Sequence, residues 1–354
     1  MRILFITQKV DQNDDLLGVV HEWLASLAGK VERLEVICLS KGKLNLPANV
    51  RVRSLCKEYS WSKWIRFFYF YRLALPLILK GEIDGVFVHM NEVYVLMLAP
   101  VKWLMALKKI PLLWWKTHGH LSIKSKIAVH FVDRILTASA ESFPVNTKKK
   151  IATGHGIDTE HFSLKQNYAE QVKTIISAGR ISPIKHIETL ISAADILINQ
   201  KGCQLKFEYY GSAPLSVQVP YFEKLKQEVK NKNLENQFIF AGSLPHFKMP
   251  ERYQSADVFV NASNTQSLDK TVLEAMACGV AVINSNTAFK PILADWPQCL
   301  FEQGNAQQLA EKISQIVGLS QSERAQLGQS LRQIVVKGHN MNNLTTKIVE
   351  VFNL

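Results

Sequence analysis

Short apolar segments alternate with helical segments along the whole chain, and this alternation predicts an α/β fold. Two of the segments, Gly85–His89 and Pro111–Trp115, are continuous apolar runs. Such runs are typical of parallel strands that helices cover on both faces. In the first half the predicted strands are Ile3–Thr7, Glu35–Leu39, Val50–Ser54, Gly85–His89, Pro111–Trp115, Ile135–Ala138 and Ile151–Gly154.

The same pattern restarts after a loop around His161–Tyr168. A chain of 354 residues exceeds the usual size of a single hydrophobic core. We therefore predict two doubly wound, Rossmann-like domains facing a central cleft, over residues 1–165 and 166–335, and a C-terminal helix within 336–354 that packs back toward the first domain. In the second half the predicted strands are Thr174–Ala178, Lys206–Tyr210, Phe238–Ala241, Val258–Asn261 and Ala281–Ser285.

The composition favours a globular protein of the cytoplasm. Hydrophobic residues make up 47% of the chain and charged residues 20%, which argues against disorder. The five cysteines are scattered without a C-x-x-C pair, so we expect a reducing compartment and no structural zinc. We find neither a secretory signal nor an apolar run of about 18 residues, and expect no membrane-spanning helix.

The positive charge is concentrated in the first half. Residues 1–165 hold 24 Lys and Arg against 14 Asp and Glu, a net +10 of the total +12. Within residues 59–80, tryptophans and other aromatics are interleaved with cations, which predicts contact with an anionic membrane. The alternative is an aromatic helix face packed into the core. We expect no nucleic-acid partner, because no recognition motif accompanies the charge.

Two loops of the first half carry candidate residues. Gly18 begins a helix after the first strand, where backbone amides could approach a phosphate or sugar; a simple turn is the alternative. It belongs to no G-x-G-x-x-G fingerprint, which argues against a dinucleotide-dependent oxidoreductase. His118 and His120 follow the strand Pro111–Trp115, and either suits sugar binding or proton transfer near neutral pH, or is a loop histidine without function.

In the second half, "SAGRISPIKHIETL" places Arg180 after a strand and Lys185 at the start of the next helix. Two cations and a helix N-terminus suit a diphosphate, against the alternative of two solvated side chains.

Farther along, Glu274 lies one turn into a helix, where a carboxylate can accept hydrogen bonds from a ribose diol. Thr271-x-x-Glu274 also fits a capping box, in which the carboxylate would bind only the helix backbone. The spacing leaves both roles open.

The motifs of the second half resemble those of glycosyltransferase family 4, within the glycosyl transferases group 1 that have the GT-B fold. The likeness runs from "SAGRISPIKHIETLISAADIL" through "FEYYGSAP", "FIFAGSLPH" and "YQSADVFVNAS" to "VLEAMACGVAVI". "GHGIDTEHF" resembles the segment that leaves the first domain in that family. The first 150 residues match it in pattern more than in motif.

The resemblance implies a retaining hexosyltransferase that needs neither metal nor cofactor. Its donor would be a nucleotide diphosphate sugar bound in the second domain. Its acceptor would be a glycan or lipid-linked acceptor on the cytoplasmic face of the cell membrane, in cell-surface polysaccharide or glycolipid synthesis. By the same resemblance, Arg180 and Lys185 bind the diphosphate, Glu274 binds the ribose, His118 lies beside the transferred sugar and Gly18 belongs to a glycine loop.

The chain departs from the family at one position. The family pairs two glutamates eight positions apart, and the first falls at Gln266 here. The glycine-aromatic-glycine that usually follows is replaced by Ser267, Leu268 and Asp269, which we expect at the donor. Asp269 either supplies the missing negative charge or only begins a helix. The departure keeps open the alternative of a nucleotide-sugar-binding subunit that has lost catalysis. A second alternative is a nucleotide-sugar 2-epimerase, which the same fold can host.

Overall fold

The computed structural model of the protein describes residues 1–14, 17–117, 119, 121–213 and 215–354. These residues form two compact units. Unit 1 comprises Met1–Gly156, Pro245–Phe247 and Asn340–Leu354, and unit 2 comprises Ile157–Leu244 and Lys248–His339. Apart from the short segment Pro245–Phe247, the chain thus changes unit after Gly156 and after His339, whereas the domain boundaries predicted from the sequence lie after residues 165 and 335.

Unit 1 is built on a parallel sheet of seven strands in the order β3-β2-β1-β4-β5-β6-β7. Every strand predicted for the first half is present. The two continuous apolar runs form neighbouring central strands that are wholly buried, as expected for a sheet covered on both faces. The strands are β1 (Arg2–Val10), β2 (Arg33–Lys41), β3 (Val50–Ser54), β4 (Gly85–His89), β5 (Leu112–Trp115), β6 (Arg134–Thr137) and β7 (Lys150–Ala152).

Helices cover the sheet of unit 1. A hydrophobic core joins α2, α3 and α5 to one face of this sheet, with Phe70 stacked on Tyr94. Elsewhere in the unit, α12 packs on α1, where the hydroxyls of Ser26 and Thr345 are 3.1 Å apart. The helices are α1 (Gly18–Ala28), α2 (Lys63–Leu79), α3 (Glu92–Leu98), α4 (Lys102–Leu107), α5 (Ile123–Phe131) and α12 (Met341–Phe352).

Unit 2 has a parallel sheet of five strands in the order β10-β9-β8-β11-β12. All five strands predicted for the second half are present: β8 (Thr174–Ala178), β9 (Lys206–Tyr210), β10 (Phe238–Gly242), β11 (Val258–Asn261) and β12 (Ala281–Asn284). The helices are α6 (Ile187–Asp195), α7 (Val219–Asn231), α8 (Met249–Ser255), α9 (Lys270–Ala277), α10 (Ala306–Val317) and α11 (Gln321–Gly338). The prediction of two doubly wound α/β sheets is confirmed.

Candidate functional site

The candidate donor residues of unit 2 lie at the carboxyl edge of its sheet. From β8 the chain first builds β9 and β10 on one side, and later β11 and β12 on the other. The strand order therefore reverses between the neighbours β8 and β11, and doubly wound sheets bind ligands at such a switch point. Arg180 and Lys185 follow β8, while Gln266, Asp269 and Glu274 follow β11.

Two glycines bring the loops after β8 and β9 into close contact. Gly179 has a φ of +149°, and the ring hydroxyl of Tyr209 lies near it. A Cβ added to Gly211 would lie 1.8 Å from the carbonyl oxygen of Gly179, so no side chain fits there. The aliphatic part of Lys185 passes over Gly179, 3.1 Å from the position that a Cβ would take. The missing side chains thus leave room for Lys185 at the sheet edge.

Lys185 forms an ion pair inside the site. Its ammonium donates to Asp269 Oδ1 at 3.1 Å and to Ser263 Oγ at 3.4 Å. Only 16% of the lysine side chain and 11% of the aspartate side chain are exposed. Lys185 ends a 3-10 turn over Pro183–Lys185, two residues before α6 begins. The second predicted cation, Arg180, is exposed, and within the described part of the chain its guanidinium has no ion-pair partner.

Asp269 is the centre of a polar cluster. Its Oδ2 accepts hydrogen bonds from the side-chain amides of Asn286 at 2.8 Å and Asn261 at 3.1 Å, and from the hydroxyls of Thr265 and Ser263 at 3.4 Å. Asp269 is also the N-cap residue of α9, yet its side chain makes no capping hydrogen bond. Its carboxylate is turned into the site instead, and sequence reasoning alone left this role open.

The loop before α9 turns Gln266 away from this cluster. Gln266 is exposed and has a φ of +56°, a conformation that few residues other than glycine adopt. The carbonyl oxygen of Ser267 accepts hydrogen bonds from Thr265 and Asn286, and the side chain of Leu268 is buried. The loop therefore presents a neutral amide outward and the charge of Asp269 inward.

Glu274 is buried and accepts a hydrogen bond from a tyrosine of α8. Its Oε2 accepts a hydrogen bond from the hydroxyl of Tyr253 at 3.1 Å. Burial, together with the nearby Glu274 carboxylate, raises the pKa of Tyr253 well above its ordinary value, so the phenol stays protonated as the donor. The capping-box interpretation is wrong, because α9 begins at Lys270 and Glu274 is its fifth residue rather than its third. Tyr253 was not identified from the sequence.

In unit 1, Gly18 is the first residue of α1 and lies beside His246. A Cβ on Gly18 would be 3.3 Å from the Cβ of His246, a residue that the fold assigns to unit 1. The His246 ring nitrogen Nδ1 is 2.9 Å from Glu22 Oε1. Sequence reasoning missed this histidine and carboxylate. The other two predicted residues of unit 1, His118 and His120, lie outside the described residues.

A largely buried ion pair lies at the end of β5. The Lys116 ammonium donates to Glu92 Oε2 at 2.7 Å, and the Ser122 hydroxyl donates to Glu92 Oε1 at 3.0 Å. Burial opposes the ionised form of Glu92, but the hydrogen bonds from Lys116 and Ser122 outweigh it and lower the pKa of this carboxyl. The pair holds the segment that follows β5 against the start of α3.

Residues 59–80 divide between the two roles considered from the sequence. Phe70 and Leu77 of α2 belong to the core of unit 1. Trp64 is 76% exposed and Phe68 is 67% exposed. One side of α2 is thus packed, and the other carries aromatic side chains into solvent. None of the described helices combines the length and the apolar composition that a bilayer-spanning segment requires.

We next consider metal binding among the described residues. Its His, Cys, Asp and Glu residues include no group of three or more that could hold an ion. The expectation of a metal-independent site stays a prediction.

Comparison with known proteins supports the resemblance read from the sequence. The family model described as "Glycosyl transferases group 1" matches residues 158–333. A curated relative, the alpha-monoglucosyldiacylglycerol synthase of Streptococcus pneumoniae, is 30% identical over 125 residues, which are 35% of this chain and 26% of that protein. The matched region thus spans about a quarter of that relative's length.

Solved structures match the whole fold. The structure of HepE from Anabaena in complex with UDP and glucose has a TM-score of 0.73 at 17% identity, with 100% of this chain and 99% of that chain covered. Sucrose-phosphate synthase from Thermosynechococcus elongatus has a TM-score of 0.75 at 16% identity, covering 100% and 98%. At these identities the likeness concerns the fold, which is the GT-B fold predicted above.

Proposed function

With residues 158–333 the chain belongs to the glycosyl transferases group 1 family, and we propose that it is a retaining glycosyltransferase. In this proposal, which includes the finer assignment to family 4, a sugar is transferred from a nucleotide diphosphate sugar to a glycan or lipid-linked acceptor. The observation that best supports this function is the 3.1 Å ion pair between Lys185 and Asp269. This contact joins the loop expected to bind the diphosphate to the loop expected to bind the sugar.

The site residues divide the chemistry between them. Arg180 and Lys185 bind the two phosphates and stabilise the nucleoside diphosphate as it leaves. Positive charge develops on the sugar as its bond to the phosphate breaks, and a fixed carboxylate nearby stabilises that charge. Asp269 supplies this carboxylate, since Gln266 is a neutral amide. Glu274, oriented by Tyr253, binds the ribose. No metal or cofactor takes part.

The acceptor is bound at the cytoplasmic face of a membrane. The exposed aromatic side of α2 and the positive charge of the first half support contact with anionic lipids. The name of the pneumococcal relative, a glucosyldiacylglycerol synthase, is consistent with a lipid-linked acceptor. His118 and Gly18 are assigned to the sugar side of the reaction on the family resemblance alone.

A catalytically lapsed donor-binding subunit is the second candidate. The outward turn of Gln266 favours it, because the family's first glutamate is missing and its position faces solvent. A subunit of this kind would bind the donor and neither transfer nor hydrolyse it.

The decisive experiment has two stages. A thermal-shift panel with UDP, GDP, ADP and their sugars identifies the nucleotide by its stabilisation of the protein. Slow hydrolysis of the selected donor is then measured in the wild type, in Lys185→Ala and in Gln266→Glu. We expect the wild type to hydrolyse the donor and Lys185→Ala to lose donor affinity. A wild type that binds donor without turnover, and that gains turnover with Gln266→Glu, would establish the lapsed subunit instead.

A further inference from the structure

A groove on unit 1 lies between the edge strand β3 and the second half of α2. Its volume is about 680 Å³, within the range of small-molecule sites. Three cations line it, namely Arg53 from β3, Arg72 from α2 and Lys80 just after α2. Its apolar wall includes Leu75 and Pro76. We call this feature the cationic groove.

The positive charge of the cationic groove is only partly neutralised. Arg53 pairs with the buried Glu35 at 3.3 Å, and Glu35 is shared with two further arginines of β2 and β3. The acidic residue of the groove, Glu82, lies 3.8 Å from Arg33. Arg72 and Lys80 have no ion-pair partner among the residues that the structure describes. An anion in the groove would therefore meet two free cations beside the anchored Arg53.

The cationic groove continues the exposed side of α2. Residues four apart on a helix lie above one another, so Trp64, Phe68 and Arg72 form one row. The first two are exposed aromatics, and the third lines the groove. Leu79, on the last turn of the same helix, is 53% exposed. An amphiphile that lies along this row would place apolar groups against the aromatics and an anionic group in the groove.

The neighbouring helices extend this surface. The core of unit 1 packs α2, α4 and α5 on one face of the sheet, with Met105 contributed by α4, so their outer sides point the same way. Exposed apolar side chains on α4 and α5 include Trp103, Leu107 and Ile123, at 66%, 73% and 77%. Exposed lysines accompany them, namely Lys108, Lys109, Lys124 and Lys126. Apolar tips among cations are typical of a surface that lies on an anionic membrane.

We propose that the cationic groove binds the phosphate headgroup of an anionic phospholipid while α2 lies on the membrane. Arg72 and Lys80 donate charge-assisted hydrogen bonds to the phosphate oxygens, and Arg53, held by Glu35, completes the site. This inference rests on the membrane contact in the proposed function. It adds to that contact a discrete headgroup site, which is distinct from diffuse attraction between surface charges.

The test uses a monomeric lipid, because diffuse attraction needs a membrane surface. Short-chain phosphatidylglycerol is titrated below its micelle concentration by calorimetry into the wild type, Arg72→Gln/Lys80→Gln and Lys63→Gln/Arg66→Gln. The last variant is the matched control, since it loses the same charge from the same helix outside the groove. We expect one equivalent to bind the wild type and the control, and binding to weaken about 100-fold in the groove variant, at roughly tenfold per charge-assisted contact.

Three results would overturn the proposal: no saturable binding to the wild type, equal weakening in both variants, or glycerol 1-phosphate binding as tightly as the lipid. The last would assign the groove to a free phosphate. Arg72→Lys/Lys80→Arg keeps the charge and should retain binding, which separates a lost site from a misfolded variant. Nucleotide-sugar binding is measured in parallel. Its failure in a wild type that still binds lipid would count against the proposed function and leave the groove intact.

Discussion

Replacing Asp269 by Asn tests whether the carboxylate, rather than any polar group of its size, is needed in the site. No orientation of an amide satisfies the surroundings. Oδ2 faces the donating amide of Asn286, and the backbone N–H of Ala288 bonds to Asn286 Oδ1, which fixes that amide's direction. Oδ1 faces the ammonium of Lys185. Either orientation of the new amide places an N–H group against a donor.

The expected loss of stability follows from the ion pair. At 3.1 Å and an effective dielectric constant of about 20, the attraction between Lys185 and Asp269 is about 5 kcal/mol before the cost of desolvation. Removing one partner of a fully buried pair costs about 3–5 kcal/mol, and this pair, with 16% and 11% of its side chains exposed, should fall at the lower end. We expect Asp269→Asn to lower the free energy of unfolding by about 3 kcal/mol.

A double-mutant cycle separates the pair from its surroundings. Lys185→Met/Asp269→Asn leaves no unpaired ammonium, so its destabilisation should fall short of the summed single losses by about 2 kcal/mol in urea denaturation. Binding of the nucleoside diphosphate gives a second readout. We expect Asp269→Asn to bind the nucleoside diphosphate more tightly, because Lys185 loses its anionic partner within the protein. We also expect this variant to turn over the donor more slowly. Additive losses within about 0.5 kcal/mol, or weaker diphosphate binding, would refute this account of the pair.

Three further predictions concern other contacts. Tyr253→Phe removes the hydrogen bond to Glu274, and we expect weaker donor binding in calorimetry, with a change in unfolding free energy of about 1 kcal/mol; unchanged affinity would separate Glu274 from the ribose. Gly211→Ala should abolish donor binding while circular dichroism keeps its α/β signal, because the new methyl group meets the carbonyl of Gly179. Because the pKa of Glu92 is lowered in the folded state, its ion pair stabilises the protein above the ordinary pKa of 4.5, and this contribution is lost as the pH falls through the folded value. Glu92→Gln should make the free energy of unfolding depend less on pH in the acidic range. An unchanged pH dependence would contradict the role given to this ion pair.

The sheet was predictable because its signal is local. A continuous apolar run such as Gly85–His89 identifies a buried strand without knowledge of its neighbours, and β4 has those bounds. The loops after β8 and β11 were predictable for a related reason, since parallel strands carry their ligand loops at one edge. The order of strands and loops in the sequence thus correctly predicted that Arg180, Lys185 and Glu274 lie at the carboxyl edge of the sheet.

The partners of these residues were not predictable, because the contacts join distant parts of the chain. Asp269 bonds to Lys185, which is 84 positions away, and to Asn286, which is 17 positions away. The residues next to Asp269 in the sequence show that it suits a helix start, but they do not show which distant side chains it contacts. Asp269 is the N-cap residue of α9, but its carboxylate accepts hydrogen bonds from side chains elsewhere in the chain instead of capping the helix. The hydrogen bond between Tyr253 and Glu274 could not be predicted for the same reason, because it joins residues of two different helices.

The ion pair bears directly on whether this chain is a transferase or a lapsed subunit. A lysine neutralised by an aspartate is a poor phosphate ligand only if its ammonium has no N–H donor left. An ammonium has three N–H donors, and Lys185 directs two of them to Asp269 and Ser263. The third remains for a phosphate oxygen, so one lysine can hold both the leaving group and the carboxylate. Asp269 would then be fixed beside the bond that breaks, where a carboxylate stabilises the charge developing on the sugar. The arrangement thus favours an active transferase whose negative charge lies at 269 instead of 266.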